Sequence, residues 1–201
     1  TGGEILFRGE SLKGQTIKER SQKIGYVMQN PNQMICKSMI FDEVALGLRL
    51  RGVDEATVTE KVEHALKICG LYPFRKWPIS ALSFGQKKRV TIASILVLKP
   101  EMILLDEPNT FLDIAHQLQL MAQAKNLASA GKTVVLVLHD LAMALECADS
   151  LVILSEGKCC FQGNPEEVFL SGKLEQAFGI RIQRIHTPEG WKYYFSRKNA
   201  F

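Results

Sequence analysis

Apolar positions recur along the chain with two periods, and the pattern changes after Pro100. Glu4–Arg8 alternates and runs into Gly9, which predicts a short strand and turn. Lys23–Met28 predicts a second strand, entering the polar, proline-containing loop Gln29-Asn30-Pro31-Asn32. Met34–Leu50 is rich in apolar residues and reads as mainly helical. Asp54–Cys69 sets Val58, Val62, Ala65 and Cys69 at helical spacing, with Asp54 as N-cap and Gly70 as stop. Pro73 and Pro78 bracket a loop, and a helix is expected over Ser83–Leu98. Beyond Pro100, Met102–Leu105 is a wholly apolar run, as expected for a parallel strand covered on both faces. Ile114–Ala130 predicts a helix whose stripe is Ile114, Leu118, Met121 and Leu127 or Ala128, ending at Gly131. Val134–Leu138 predicts a second buried strand, Leu141–Ala148 a short helix and Leu151–Leu154 a third strand. In the tail, Asn164 caps a helical turn over Pro165–Leu170. Ile180, Ile182 and Ile185 then face Trp191–Phe195 across Pro188-Glu189-Gly190 as a terminal hairpin.

The alternation of strands and helices after Pro100 predicts an α/β fold built on a mainly parallel sheet with right-handed crossovers and flanking helices. With 201 residues, one α/β body carrying a helical insert is expected. Apolar residues make up 46% and charged residues 23%, which suits an ordinary globular protein with a core of normal size. The net charge of +4 is diffuse. Its one compact cluster, Lys87-Lys88-Arg89, and the looser scatter Arg181, Arg184, Lys192, Arg197 and Lys198 read as solvated faces, so no nucleic-acid partner is expected. None of the five cysteines forms a CxxC pair; reduced, buried, small apolar side chains are expected. No leader pattern and no apolar run of the ~18 residues a membrane span needs is present. A cytoplasmic chain that docks on a membrane partner fits this.

Three short segments carry candidate chemistry. In Leu104-Leu105-Asp106-Glu107-Pro108, two carboxylates stand at the carboxyl end of a parallel strand, where ligands bind in open α/β sheets. Asp106 suits Mg²⁺, and Glu107 suits orienting and deprotonating a water; two solvated charges would look the same. In Leu82-Ser83-Phe84-Gly85-Gln86, Ser83 stands where a helix begins, so it is either an anion site or an ordinary N-cap. His139 follows the apolar strand and precedes Asp140, as a strand-end ligand or a structural histidine. His64, His116 and His186 show no metal-ligand spacing.

Their order and spacing are more specific than any one of them. Ser83 lies 54 residues after Gln29, Glu107 24 further on and His139 32 beyond that. With this spacing the chain resembles the ABC transporter ATPase family, from Thr1 to about Gly163. YVMQN resembles the Q-loop, ending on Gln29; LSFGQ resembles the signature LSGGQ; MILLDE resembles Walker B; NTFLD, with Asp113, resembles the D-loop; and LVLHD carries the switch histidine, His139. The resemblance implies a P-loop NTPase-like sheet in an ATPase core over residues 1–163. It also implies a helical subdomain at about 31–98 and a helix and hairpin extension over 164–201. Implied roles are catalysis by Glu107, His139 and Gln29, Mg²⁺ held by Asp106 and Gln29, and ATP contacts from Ser83, Gly85, Gln86 and Asp113. Implied partners are a second ATPase domain, as a homo- or heterodimer, and transmembrane permease subunits. The chain would then be peripheral on the inner face of the cell membrane. The apolar stretch Met34-Ile35-Cys36 and Met39-Ile40-Phe41 is either a groove for the permease or core.

The chain departs from the family pattern in three places. No Gly-Lys-Ser/Thr string occurs, so the P-loop with its strand and helix is expected upstream of Thr1, and these residues alone are expected to bind ATP poorly. Phe84 stands where most relatives have glycine, and Phe111 is bulkier than the usual D-loop alanine. Two importer branches are resembled: the energy-coupling-factor branch for cobalt, nickel and vitamins by QNPNQMICKSMIFDEVALGL and LSFGQKKR, and the siderophore, haem and cobalamin branch by GNPEEVF and LEQAFGIRI. A chromosome-maintenance ATPase would need a long coiled coil between Gln29 and Ser83, which 54 residues do not hold. A translation-factor type with two ATPase domains, or a regulatory domain that does not hydrolyse ATP, remain as alternatives.

Overall fold

A computed structural model of the chain describes residues 3–110 and 112–198. Phe111 lies outside them. Two compact units are formed, Thr1–Val137 and Leu138–Phe201.

The first unit opens with β1 (Leu6–Phe7) and β2 (Glu10–Ser11), paired antiparallel about Arg8 and Gly9. The next helix, α1 (Ile17–Lys23), was not expected: it buries no residue, so no apolar stripe announces it. Its start is fixed instead by a capping box, in which Thr16 and Glu19 satisfy each other's backbone N–H groups. Strand β3 (Ile24–Val27) follows, and then come three helices, α2 (Ile40–Leu50), α3 (Glu55–Ile68) and α4 (Phe84–Leu96). They pack pairwise on one another. Val44, Ala45 and Leu48 of α2, Val58, Val62 and Leu66 of α3 and Val90, Ile92 and Ala93 of α4 are buried.

Helix α3 begins at the Asp54 cap and stops at Gly70 as expected. Gly70 turns left-handed at φ 64°, its N–H meets Lys67 O, and the Leu71 N–H returns to Leu66 O. Within α2, Glu43 is 5% exposed, and its Oε2 accepts the backbone N–H groups of Cys36 and Lys37 at 2.8 and 2.7 Å. A helix carboxylate thus holds the loop in front of its own helix.

Strand β4 (Met102–Asp106) pairs in parallel with β3 on one side and with β5 (Thr133–Val137) on the other. Helix α5 (Ile114–Ser129) makes the crossover from β4 to β5. Two expectations are corrected here. In β4 only Ile103 and Leu105 are fully buried, because they share the covered face; Met102 and Leu104 on the other face are half-buried, and β5 has no buried residue. In α5 the buried face is Leu120, Met121 and Ala124, while Ile114 and Leu118 are exposed. The periodicity was right, but its phase was about one residue off.

In the second unit, α6 (Leu141–Cys147) precedes β6 (Leu151–Ser155), whose partner is β7 (Lys158–Gly163) in an antiparallel pair. The expected third parallel strand is therefore one arm of a hairpin. The two turn residues, Glu156 and Gly157, have φ of 50° and 74°, as a tight hairpin turn requires. Helices α7 (Pro165–Ser171) and α8 (Lys173–Phe178) lead into β8 (Ile180–Thr187) and β9 (Gly190–Arg197), the expected hairpin, with Ile182 opposite Phe195. Leu145, Ile153, Val168, Leu174 and Tyr193 form this unit's core.

The cysteines also differ from expectation. All five are free, but only Cys69 is buried; Cys147 is half-buried, and Cys36, Cys159 and Cys160 are exposed. Burial pushes the Cys69 thiol up to about 12, so it stays an inert apolar group.

Candidate functional site

The rim of the parallel sheet gathers the first three candidates. Strand β3 ends at Val27 opposite Leu105, so Gln29 and Glu107, each two residues further on, leave neighbouring strands side by side. Gln29 Nε2 donates to Glu107 Oε2 at 2.5 Å. The Thr110 hydroxyl donates to the same oxygen at 3.2 Å. Glu107 itself adopts a left-handed backbone, φ 43°, which is uncommon for a side chain of this size and marks a constrained position at the strand end. Its N–H donates to Val137 O at 3.2 Å, so both adjoining strands hold it.

Asp106 ends β4, and its Oδ2 accepts the hydroxyl of Tyr26 at 3.2 Å. Tyr26 lies opposite Leu104, so it sits diagonally across from Asp106 on one sheet face. Desolvation, then the hydrogen bond and charge of Asp106, push the Tyr26 phenol above its ordinary range. A carboxylate and an amide oxygen are donors that Mg²⁺ accepts, because it keeps waters and phosphate oxygens as its remaining ligands. Gln29 spends its amide nitrogen on Glu107, which leaves the amide oxygen as the atom for a hard cation. Among the described residues no group of three His, Cys, Asp or Glu side chains forms a metal cage.

Ser83 is exposed and caps α4 through a reciprocal capping box with Gln86. Gln86 N donates to Ser83 Oγ at 3.2 Å, and Ser83 N donates to Gln86 Oε1 at 2.9 Å. Both polar side chains are therefore engaged in starting the helix, with Ser83 outward and Gly85 half-buried behind it. Asp113 caps α5 in the same manner, taking the His116 N–H at 2.9 Å and pairing with His116 Nδ1 at 2.6 Å. The His116 backbone and side-chain contacts hold its carboxyl below the ordinary range. His139 is exposed at the start of the second unit, in the bend before Asp140 caps α6.

Three residues of the rim were missed by sequence reasoning: Tyr26, Thr110 and Lys88. Tyr26 carried a signal, since the strand register puts it two residues from Asp106 on one face. Lys88 is a correction, because the triplet Lys87-Lys88-Arg89 is not a solvated face. Lys88 is completely buried. Its Nζ donates to Met28 O and Gln29 O at 2.8 Å each and to Asp106 O at 3.0 Å. Desolvation lowers its pKa to about 8 against the opposing pull of Asp106 and Glu107. Arg89 is half-buried, with Nη1 on Cys69 O at 3.2 Å. Helix periodicity turns residues 88 and 92 to the same side as the core, and that phase was the available signal.

The segment Met39–Phe41 divides. Ile40 is core, while Met39 and Phe41 line an open groove of about 340 Å³ with Asp42, Glu63 and Arg75. No helix among the described residues is long and apolar enough to cross a membrane.

Comparison with known proteins gives the family. The family model described as ABC transporter matches residues 1–110. An ABC transporter ATP-binding protein of Streptococcus mutans is 54% identical over 83% of this chain and 30% of its own length. One from Clostridium perfringens is 58% identical over 78% of this chain and 28% of its own length. The chain thus spans about a third of the curated relatives it matches. Among solved structures, cbiO1 of Clostridium perfringens, part of the ABC transporter complex cbiONQ, superposes with a TM-score of 0.76. It is 30% identical, over 88% of this chain and 71% of that one. The chain belongs to the ABC transporter family, as part of its ATP-binding domain.

Proposed function

We propose that this chain is the hydrolytic portion of the ATPase subunit of an ABC importer, coupling ATP hydrolysis to uptake of a metal ion, a vitamin or a metal chelate. The observation that carries the reading is the Gln29–Glu107 pair, joined at 2.5 Å beyond the ends of two parallel strands. Two donors on one carboxylate oxygen fix the orientation of Glu107, as a base that polarises water needs. Asp106 and the Gln29 amide oxygen would hold Mg²⁺, which supplies charge neutralisation at the transferring phosphoryl group. His139 holds the γ-phosphate and the water. Exposed Ser83, with Gly85 and Gln86 in the first turn of α4, meets nucleotide bound by a second ATPase domain, where backbone N–H groups and the helix dipole favour an anion. Asp113 lies at the seam between the two domains.

We assign the ATPase core to residues 1–163, its helical subdomain to 31–98 and the helix and hairpin extension to 164–201. The groove beside Met39 and Phe41 is the proposed seat of a permease segment, which puts the chain on the inner face of the membrane. Likeness to cbiO1 supports the energy-coupling-factor branch over the siderophore branch. The phosphate cradle and its lysine are not among these 201 residues, so nucleotide affinity requires a P-loop from outside them.

The test is Glu107→Gln in the full-length protein. The variant is expected to bind MgATP, stay as a closed dimer and lose hydrolysis by at least about a hundredfold. Hydrolysis at the wild-type rate would overturn the assignment.

A further inference from the structure

Lys88 has no place in the reaction described so far, yet among the described residues it is the largest side chain that is completely buried. A buried ammonium is costly unless every donor finds an acceptor. Here three N–H donors meet three carbonyls: Met28 O and Gln29 O, just past the end of β3, and Asp106 O, the last of β4. These carbonyls lie where the two strands stop pairing, since the β3–β4 ladder ends at Val27 and Leu105. The ammonium therefore replaces the ladder at the point where the strands separate. Two of its three acceptors belong to Gln29 and Asp106 themselves, and the third precedes Gln29. Lys88 also stands one turn into α4, five residues beyond Ser83.

We propose that Lys88 is a positioning residue for hydrolysis: through the backbones of Gln29 and Asp106 it sets the spacing of Gln29 and Glu107, and it ties that spacing to the helix that begins at Ser83. This rests on the reading of Gln29 and Glu107 as a hydrolytic pair. The cause is geometric. A carbonyl held at 2.8 Å fixes the peptide that carries the Gln29 side chain, and loss of that anchor lets Gln29 drift from Glu107. A second consequence is coupling. Any displacement of α4 moves the ammonium, and with it the rim, so movement at Ser83 reaches the water-polarising pair through one side chain.

The test uses the full-length protein and steady-state ATP hydrolysis, at a temperature where every variant is folded. Lys88→Met keeps the length and removes the charge and donors. It is expected to lower kcat about tenfold to a hundredfold with KM for MgATP changed less than about twofold, because the phosphate cradle is not touched. Lys88→Arg, which keeps a buried donor, recovers part of the rate. In a Gln29→Ala background the further loss from Lys88→Met shrinks by at least about threefold, because the group it positions is gone. Unchanged kcat, a rise in KM alone, or losses that simply multiply would overturn the proposal. If Lys88→Met does not fold, Lys88→Gln takes its place in the same cycle. A wild-type protein that hydrolyses no ATP would sink the functional reading instead. Hydrogen exchange then decides the lysine's part: faster exchange in Lys88→Met at residues 28–30 and 106–108, with α3 unchanged, supports it, and uniform loss of protection overturns it.

Discussion

Gln29 and Glu107 stand 78 positions apart in sequence and 2.5 Å apart in space, Nε2 to Oε2. The sheet register makes this inevitable. Val27 pairs with Leu105 across the same offset of 78, the ladder ends there, and Gln29 and Glu107 each lie two residues further on. A one-residue slip of β3 on β4 would turn these side chains to opposite faces. The parallel pairing thus brings the two positions to neighbouring strand ends, and the segments just past the ladder complete the contact.

Removing the donor tests what the contact does. In the full-length protein, Gln29→Ala is expected to lower kcat at least about tenfold, and Gln29→Glu more, because a second carboxylate beside Glu107 raises its pKa and disfavours the base form. Measured rates for Gln29→Glu equal to those of the wild type would show that the pair has no part in hydrolysis.

The 201-residue chain by itself is expected to bind MgATP more weakly than micromolar, since none of its residues forms a Gly-Lys-Ser/Thr phosphate cradle. Isothermal titration checks this directly. Micromolar binding would mean that the rim and the first turn of α4 grip nucleotide unaided.

Gly25 tests how tightly the rim is seated on its supporting helix. It is buried in β3, and a Cβ there would lie 2.3 Å from Ile95 Cγ2 and 3.0 Å from Pro100 Cγ. Both neighbours are stiff, so Gly25→Ala has to push α4 off the sheet. We expect a loss of about 1–3 kcal/mol in chemical denaturation. Because α4 carries Lys88, hydrolysis by the full-length variant should fall as well. An unchanged denaturation midpoint would show that α4 shifts freely.

These features differ in how far the sequence revealed them. Caps are local chemistry, so Asp54, Ser83 and Asn164 were legible as helix starts, and each accepts the expected backbone N–H. Gln29, Asp106, Glu107 and the rest of the candidate set came from motif order. Position in space is another matter. Lys88 looked like one of three solvated cations, because a charge run carries no mark of which member turns inward. Ile114 and Leu118 looked like a core stripe and are exposed, since an apolar period fixes a face but not what covers it. The hairpin of β6 and β7 was hidden because Lys158–Gly163, KCCFQG, does not alternate, and its turn uses Glu-Gly rather than a stronger turn pair. Helix α8 is six residues long, too short to display a period.

Arg184 offers a last test, confined to the second unit. Its guanidinium lies 4.2 Å from the Phe169 ring centre and 4.1 Å from that of Trp191, between two aromatic faces, while both terminal nitrogens reach the Glu166 carboxylate. A planar fork suits this place, and a lysine ammonium does not, because it cannot stack on two rings and grip two oxygens together. Arg184→Lys is therefore expected to lower the unfolding temperature although charge is unchanged. Arg184 also holds the Glu166 carboxyl below its ordinary value of 4.5. For a depressed carboxylate, stabilisation is fully present above the unfolded value and is lost as pH falls through the lower folded one. Thermal melts of wild type and Glu166→Gln should thus differ at neutral pH and converge as the pH drops below that value. A gap that persists into acid would assign the stabilisation to ring packing on the arginine stem instead of to the ion pair.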